Sequence, residues 1–152
     1  MKNGVNVKYT DAEIRHRLVI GEDQRWGFKQ IQFKGNRPDS PKRADLADEI
    51  IAFSNANGGV LLCGIFDDGQ LQGMSPEQLV TLNRAIVEVC SDSVEPSIRV
   101  QIHHRILDEK VYMLIETPEG HSVHERSGRA FIRVGGSKRQ LSGGYCNYSL
   151  RY

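Results

Sequence analysis

The sequence predicts an α+β fold: a two-layer sandwich in which a mixed β-sheet carries helices mainly on one face. Three observations point there. Segments with helix-capping signals alternate with extended apolar runs through the first part of the chain. One of those runs, GVLLCGIF at 59–66, is continuously apolar and of strand length, as a central strand should be. Three more strand-like runs then follow one another with no helix between them.

The elements can be justified in order. Thr10-Asp11-Ala12-Glu13 has capping-box spacing and predicts a helix over 11–19, ended by Gly21. RWGFKQIQF (25–33) alternates, with Trp26, Phe28 and Gln30 on one face and Lys29, Ile31 and Phe33 on the other, which predicts a strand. GNRPDS (35–40) carries turn residues and reads as a loop. Ser40-Pro41 then reads as a helix cap with proline in the first turn. Leu46, Ala47, Ile50, Ile51 and Phe53 make residues 41–56 an amphipathic helix, stopped by Asn57-Gly58-Gly59. Asp67-Asp68-Gly69 reads as a turn after the central strand. Ser75-Pro76-Glu77-Gln78 opens a helix over 76–90 with Leu79, Leu82, Ile86 and Val89 as its core stripe. Strands are expected at 98–106, 111–117 and 130–134, the first two joined by a hairpin turn at Asp108-Glu109. The organisation expected is a helical extension (1–20), one domain (21–142) and a disordered or truncated tail (143–152).

Composition narrows the function. Lys+Arg is 20 and Asp+Glu 19, so a polyanion-binding surface must come from local clustering. No apolar run is long enough for a membrane helix, and no signal peptide opens the chain. Three widely spaced cysteines give no disulfide framework and suggest a reducing, cytoplasmic setting. The Walker phosphate-loop spacing is absent, and GGSK at 135–138 does not supply it. His121 and His124 are three apart but lie in a loop, and His103-His104 should point to opposite faces of a strand. Cys63 and Cys90 read as small buried hydrophobes.

Two constellations remain. Glu22-Asp23 precedes the first strand and Asp67-Asp68 follows the central one. They read either as solvated turns or as a site in which Glu22, Asp67 and Asp68 hold Mg²⁺ or Mn²⁺, with Glu22 and Asp67 serving phosphodiester hydrolysis. The second constellation is basic: Arg126, Arg129, Arg133, Lys138 and Arg139, with Lys42-Arg43 at a helix start. Arg133, Lys138, Arg139, Lys42 and Arg43 read either as solvated charges or as phosphate contacts. Trp26 reads as core or as a stacking platform.

Taken together, GEDQRWGFK (21–29), DLADEIIAFSNANGGVLLCGIFDDGQLQGM (45–74) and AFIRVGGSKRQLS (130–142) resemble the Schlafen AlbA-like domain, also called the divergent AAA domain. The resemblance implies an α+β fold. In bacteria it implies the N-terminal module of a transcriptional regulator or of a protein related to the RecG ATP-dependent DNA helicase. In animal Schlafen proteins the domain is an RNase core with a carboxylate triad. Carried over, Glu22 matches the first glutamate and Asp67, with Asp68 beside it, matches the aspartate. The second glutamate falls on Gly27, while Phe28 and Lys29 of the motif are retained. The expected function is therefore nucleic-acid binding, to DNA or RNA. The alternatives are a metal-dependent nuclease one ligand short, or a protein-interaction module that forms a homodimer.

Overall fold

The computed structural model describes residues 8–141; residues 1–7, and the segment from 142 that includes the tail and Cys146, lie outside the described residues. The helices are α1 (Asp11–Ile20), α2 (Arg43–Ser54) and α3 (Pro76–Glu88), the last running into a π-helical turn at Val89–Ser93. The strands are β1 (Trp26–Lys29), β2 (Gln32–Lys34), β3 (Arg37–Ser40), β4 (Gly59–Cys63), β5 (Gln101–Leu107), β6 (Lys110–Thr117), β7 (Phe131–Val134) and β8 (Ser137–Gln140). A four-stranded mixed sheet has the order β1-β4-β6-β5, with β1 parallel to β4 and the other pairs antiparallel. The α+β class with a mixed sheet is as the sequence indicates.

Strand alternation divides the core in two. Leu61, Cys63, Met113 and Ile115 face α2 and α3 and pack with Leu46, Ile50, Phe53, Leu82 and Ile86. Val60, Leu62, Tyr112 and Leu114 face the other way and meet Ile14 of α1. Two helices therefore cover one face and α1 part of the other.

Both capping boxes form. Thr10 Oγ1 accepts from the Glu13 amide at 3.1 Å, and Ser75 Oγ accepts from the Gln78 amide at 3.1 Å. The two-residue turn between β5 and β6 has positive φ at Asp108 (52°) and Glu109 (66°), and Arg15 of α1 clamps the Asp108 carboxylate at 2.7 and 2.8 Å.

Three stretches differ from the sequence reading. The run 25–33 is two strands, because the chain leaves the sheet after Lys29. The Gln72 side chain then takes both backbone groups of Ile31, accepting its N–H at 3.0 Å and donating to its C=O at 2.6 Å. The loop 35–40 contains β3, which pairs with β2. That pairing holds Ser40 extended opposite Gln32, so α2 starts later than expected, with Lys42 at the cap position and no side-chain cap. The basic stretch after β7 is a second strand of a hairpin, β8, and not a loop.

Candidate functional site

β1, α2 and the β7–β8 hairpin meet in an open cleft of about 580 Å³ lined by Glu22, Lys29, Asp45, Glu49, Asp67, Arg133 and Lys138, among others. The sequence-predicted carboxylates Glu22 and Asp67 are thus brought together. They are joined by Asp45 and Glu49, which sit one turn apart on α2.

Protein cations already occupy this cleft. Glu49, with its side chain only 8% exposed, takes Lys138 Nζ at 2.9 Å, Lys29 Nζ at 3.0 Å and Arg133 Nη1 at 3.3 Å. Asp45 takes Lys138 at 2.6 Å and Lys29 at 3.3 Å. Burial opposes the charge of Asp45, but the hydrogen bonds and charges of Lys138 and Lys29 outweigh it and hold its carboxyl below the usual range. Burial likewise opposes the charges of Lys29 and Lys138. Glu49 and Asp45 outweigh it and raise both lysines above their ordinary value.

Arg133 is the centre of the arrangement. Its side chain is 2% exposed, and its guanidinium lies 4.4 Å over the Phe53 ring. It donates to the backbone carbonyls of Asp23 at 3.1 Å and Trp26 at 2.9 Å. The sequence offered Arg133 as a phosphate contact; here every face of its fork is turned into the protein.

Gly27 explains how that guanidinium fits. A Cβ at residue 27 would stand 3.1 Å from Arg133 Nη2, 3.2 Å from Phe53 and 3.3 Å from Leu61. The position where the resemblance implies a second carboxylate is here the space that Arg133 uses. Glu22 is engaged too, its Oε1 accepting the Phe28 amide at 2.8 Å and lying 3.8 Å from Arg133 Nη2. Asp67 and Asp68 are exposed, and Asp68 accepts the Gln70 amide in the turn. Among the described residues no group of three or more His, Cys, Asp or Glu side chains is arranged to hold a metal ion. The residues here do not fit a divalent-ion site: Asp45 and Glu49 are bound to Lys29, Lys138 and Arg133, Glu22 is engaged by the Phe28 amide, and Asp67 and Asp68 form no cluster of three with another carboxylate.

The remaining predicted cations lie elsewhere. Lys138 faces α2, while Arg139 alternates to the other side of β8, exposed and without an ion pair among the described residues. Arg126 is bound to Asp48 at 2.8 and 3.0 Å. Lys42 and Arg43 line a second cleft of about 410 Å³, together with Arg37, Arg84, Asp39 and Pro41. Pro41 borders both clefts. In the second one, Lys42 is 3.3 Å from Asp39 and Arg43 is 2.7 Å from Glu88, both in exposed pairs. Arg37 and Arg84 are exposed, with no ion pair among the described residues. The start of α2, which no side chain caps, opens beside them.

Sequence reasoning missed Asp45, Glu49, Arg37 and Arg84. The available signal for the first two was a pair of carboxylates at i, i+4 next to the apolar stripe of α2. His124 is buried, its Nδ1 2.6 Å from the Pro96 carbonyl, whereas His121 is exposed, so the two do not form a pair. Trp26 lies edge-on to Tyr9 at 5.2 Å and beneath Arg17, against the α1 core.

Comparison with known proteins gives a family and a fold. The family model described as Schlafen, AlbA_2 matches residues 22–142. The crystal structure of the DIP2311 protein from Corynebacterium diphtheriae is similar with a TM-score of 0.58 and 23% identity, over 78% of this chain and 22% of that one. The chain thus spans about a fifth of that protein. The solution structure of the N-terminal domain of a protein from Nitrosomonas europaea, named as related to the RecG ATP-dependent DNA helicase, is similar with a TM-score of 0.56 and 19% identity, over 88% of this chain and 94% of that one. A search of the curated proteins gave no match.

Proposed function

The chain belongs to the Schlafen AlbA_2 family, and from that premise we propose that it is a nucleic-acid-binding module which engages phosphates at the start of α2 and does not cut them. The observation that carries this reading is the second cleft. Arg37, Lys42, Arg43 and Arg84 converge there around an uncapped helix start, with Asp39 the only carboxylate lining it among the described residues. Free helix amides and the positive end of the helix favour an anion. The Lys42–Asp39 and Arg43–Glu88 pairs are exposed and so cheap to exchange for phosphate contacts. Recognition is by backbone charge, with DNA and RNA both as ligands to be tried.

The neighbour named for RecG supports placing the module at the N-terminus of a larger, RecG-related protein; a transcriptional regulator is the other setting the resemblance implies. The absent Walker spacing leaves ATP hydrolysis to other parts of such a protein. No helix among the described residues is long and apolar enough to cross a membrane. A cytoplasmic setting is supported by Cys63 and Cys90, both free and buried, with burial pushing their thiols up to about 12 and about 11.

Fluorescence anisotropy with labelled single-stranded DNA, duplex DNA and RNA tests the reading. Substituting Arg37→Ala with Arg84→Ala should weaken binding to all three and reduce the salt slope by about two, since each lost phosphate contact removes about one. Arg139→Ala should change little. Unaltered affinity in the Arg37/Arg84 variant would reject this cleft. Manganese-dependent cleavage of any of these substrates by the parent chain would restore the nuclease reading.

A further inference from the structure

The two edges of the sheet are treated differently. At the β1 edge the outward backbone groups are taken by side chains. The Asp23 carboxylate accepts the Trp26 amide at 3.0 Å, Glu22 accepts the Phe28 amide at 2.8 Å, and Arg133 donates to the Trp26 carbonyl at 2.9 Å. The β5 edge has no such cover among the described residues. Leu107 and Lys110 close a two-residue hairpin, so Leu107, Arg105, His103 and Gln101 bond inward to β6. The N–H and C=O groups of Ile102, His104 and Ile106 point outward, and none of them has a partner among the described residues. An exposed edge of this length is a template for another strand.

From this edge we infer that β5 pairs with β5 of a second copy of the chain, antiparallel about a two-fold axis through His104. Three features of the edge select a second copy as the occupant. First, the register is self-complementary. His104 falls opposite the partner's His104 and Ile102 opposite the partner's Ile106, so each facing pair exchanges both of its backbone bonds and every outward group is satisfied. Second, this face of the edge is apolar where it needs to be. Ile106 is 63% exposed and would meet the partner's Ile102. Third, α3 carries Val80 and Val87, 56% and 50% exposed, on the side next to Asn83, whose Oδ1 is 3.2 Å from His104 Nε2. A two-fold axis normal to the sheet puts both α3 helices on one face, where these valines meet their symmetry mates. Ile106, Val80 and Val87 are half of the exposed large hydrophobics among the described residues, and one interface covers them all. The result is one continuous eight-stranded sheet. The inference does not depend on nucleic-acid binding.

Light scattering after size exclusion, without oligonucleotide, should give twice the 17.1 kDa chain mass at high protein concentration and fall toward 17.1 kDa on dilution. Ile106→Lys combined with Val87→Lys should give the single-chain mass throughout, with an unchanged circular dichroism spectrum. Amide hydrogen exchange provides a readout that needs no variant: the Ile102, His104 and Ile106 amides should be protected in concentrated protein and exchange freely when dilute. A parent chain that stays at single-chain mass at every concentration overturns the inference. So does a dimer that persists in the lysine variant, or three amides that exchange freely at high concentration.

Discussion

On one side of Pro41, Lys29, Lys138 and Arg133 are held against Asp45 and Glu49; on the other, Arg37, Lys42, Arg43 and Arg84 stand at the surface around the start of α2. The residue types are the same, and burial separates their roles. In the first cleft these carboxylates come from one face of α2 and the cations from β1, β7 and β8. The charges therefore tie β1 and the last hairpin to the helix. In the second cleft, water screens each pair and the cations are free to change partners. A stretch rich in arginine and lysine is thus no guide to a polyanion site until the carboxylates facing it are known.

The largest expected effect comes from removing the shared carboxylate. Glu49→Gln keeps the shape but leaves Arg133, almost wholly buried, and two half-buried lysines without their common anion. Breaking such a pair costs about 3 kcal/mol, the lower end of what buried pairs show because the lysines keep some water. For a domain of this size that is roughly 10 °C in Tm. Thermal unfolding followed by circular dichroism would read it. A loss no larger than that of Arg43→Ala, on the solvent side of Pro41, would erase the distinction between the two clefts.

Next in size is Gly27. Gly27→Ala places a methyl 3.1 Å from Arg133 Nη2 and close to Phe53 and Leu61, where the packing must give. Overpacking of this kind costs about 2 kcal/mol, measurable by urea denaturation. Gly27→Glu supplies the carboxylate that the resemblance implies there, but aims it at a guanidinium and not at an open ligand position. That variant should lose stability and gain no manganese-dependent cleavage of RNA. Cleavage would mean that Arg133 and the lysines yield to a metal ion, and that the first cleft is a dormant nuclease site.

These residues also show what the sequence could express. Capping boxes are local, so α1 and α3 were legible, and a continuous apolar run announced β4. The stretch AFSNANGG (52–59), within the segment that carries the family resemblance, was recognisable as a pattern, but its meaning is tertiary. Phe53 carries the Arg133 guanidinium. Asn55 donates to the His124 and Phe131 carbonyls, both at 2.9 Å, and so pins the last hairpin to α2. A side chain at Gly59 would collide with Phe53. Pairs such as Lys138–Asp45 join residues far apart in the chain, and no periodicity reports them. β3 and β8 were hidden because short polar strands read as loops until a partner strand is known. The fold class needed only local signals; the state of the site depended on long-range charge pairing.

The smallest effect, and the one with the clearest pH signature, belongs to Asp45. Its side chain is more than a third exposed, so Asp45→Asn should cost about 1 kcal/mol or less at neutral pH. The direction of its pKa fixes where that contribution disappears. The carboxyl lies below its unfolded value of 3.8, so its stabilisation is complete above that value and is lost as pH falls through the folded pKa. Lys29 and Lys138 lie above 10.5. Their contribution is complete below that value and is lost as pH rises through their folded pKa. The parent should therefore lose stability at both extremes. Asp45→Asn should flatten the acid limb and weaken the alkaline one, because Glu49 still holds both lysines. Urea midpoints measured across pH would show this. An unchanged acid limb would mean that Asp45 contributes nothing the solvent does not, and the first cleft would then differ from the second only through Glu49 and Arg133.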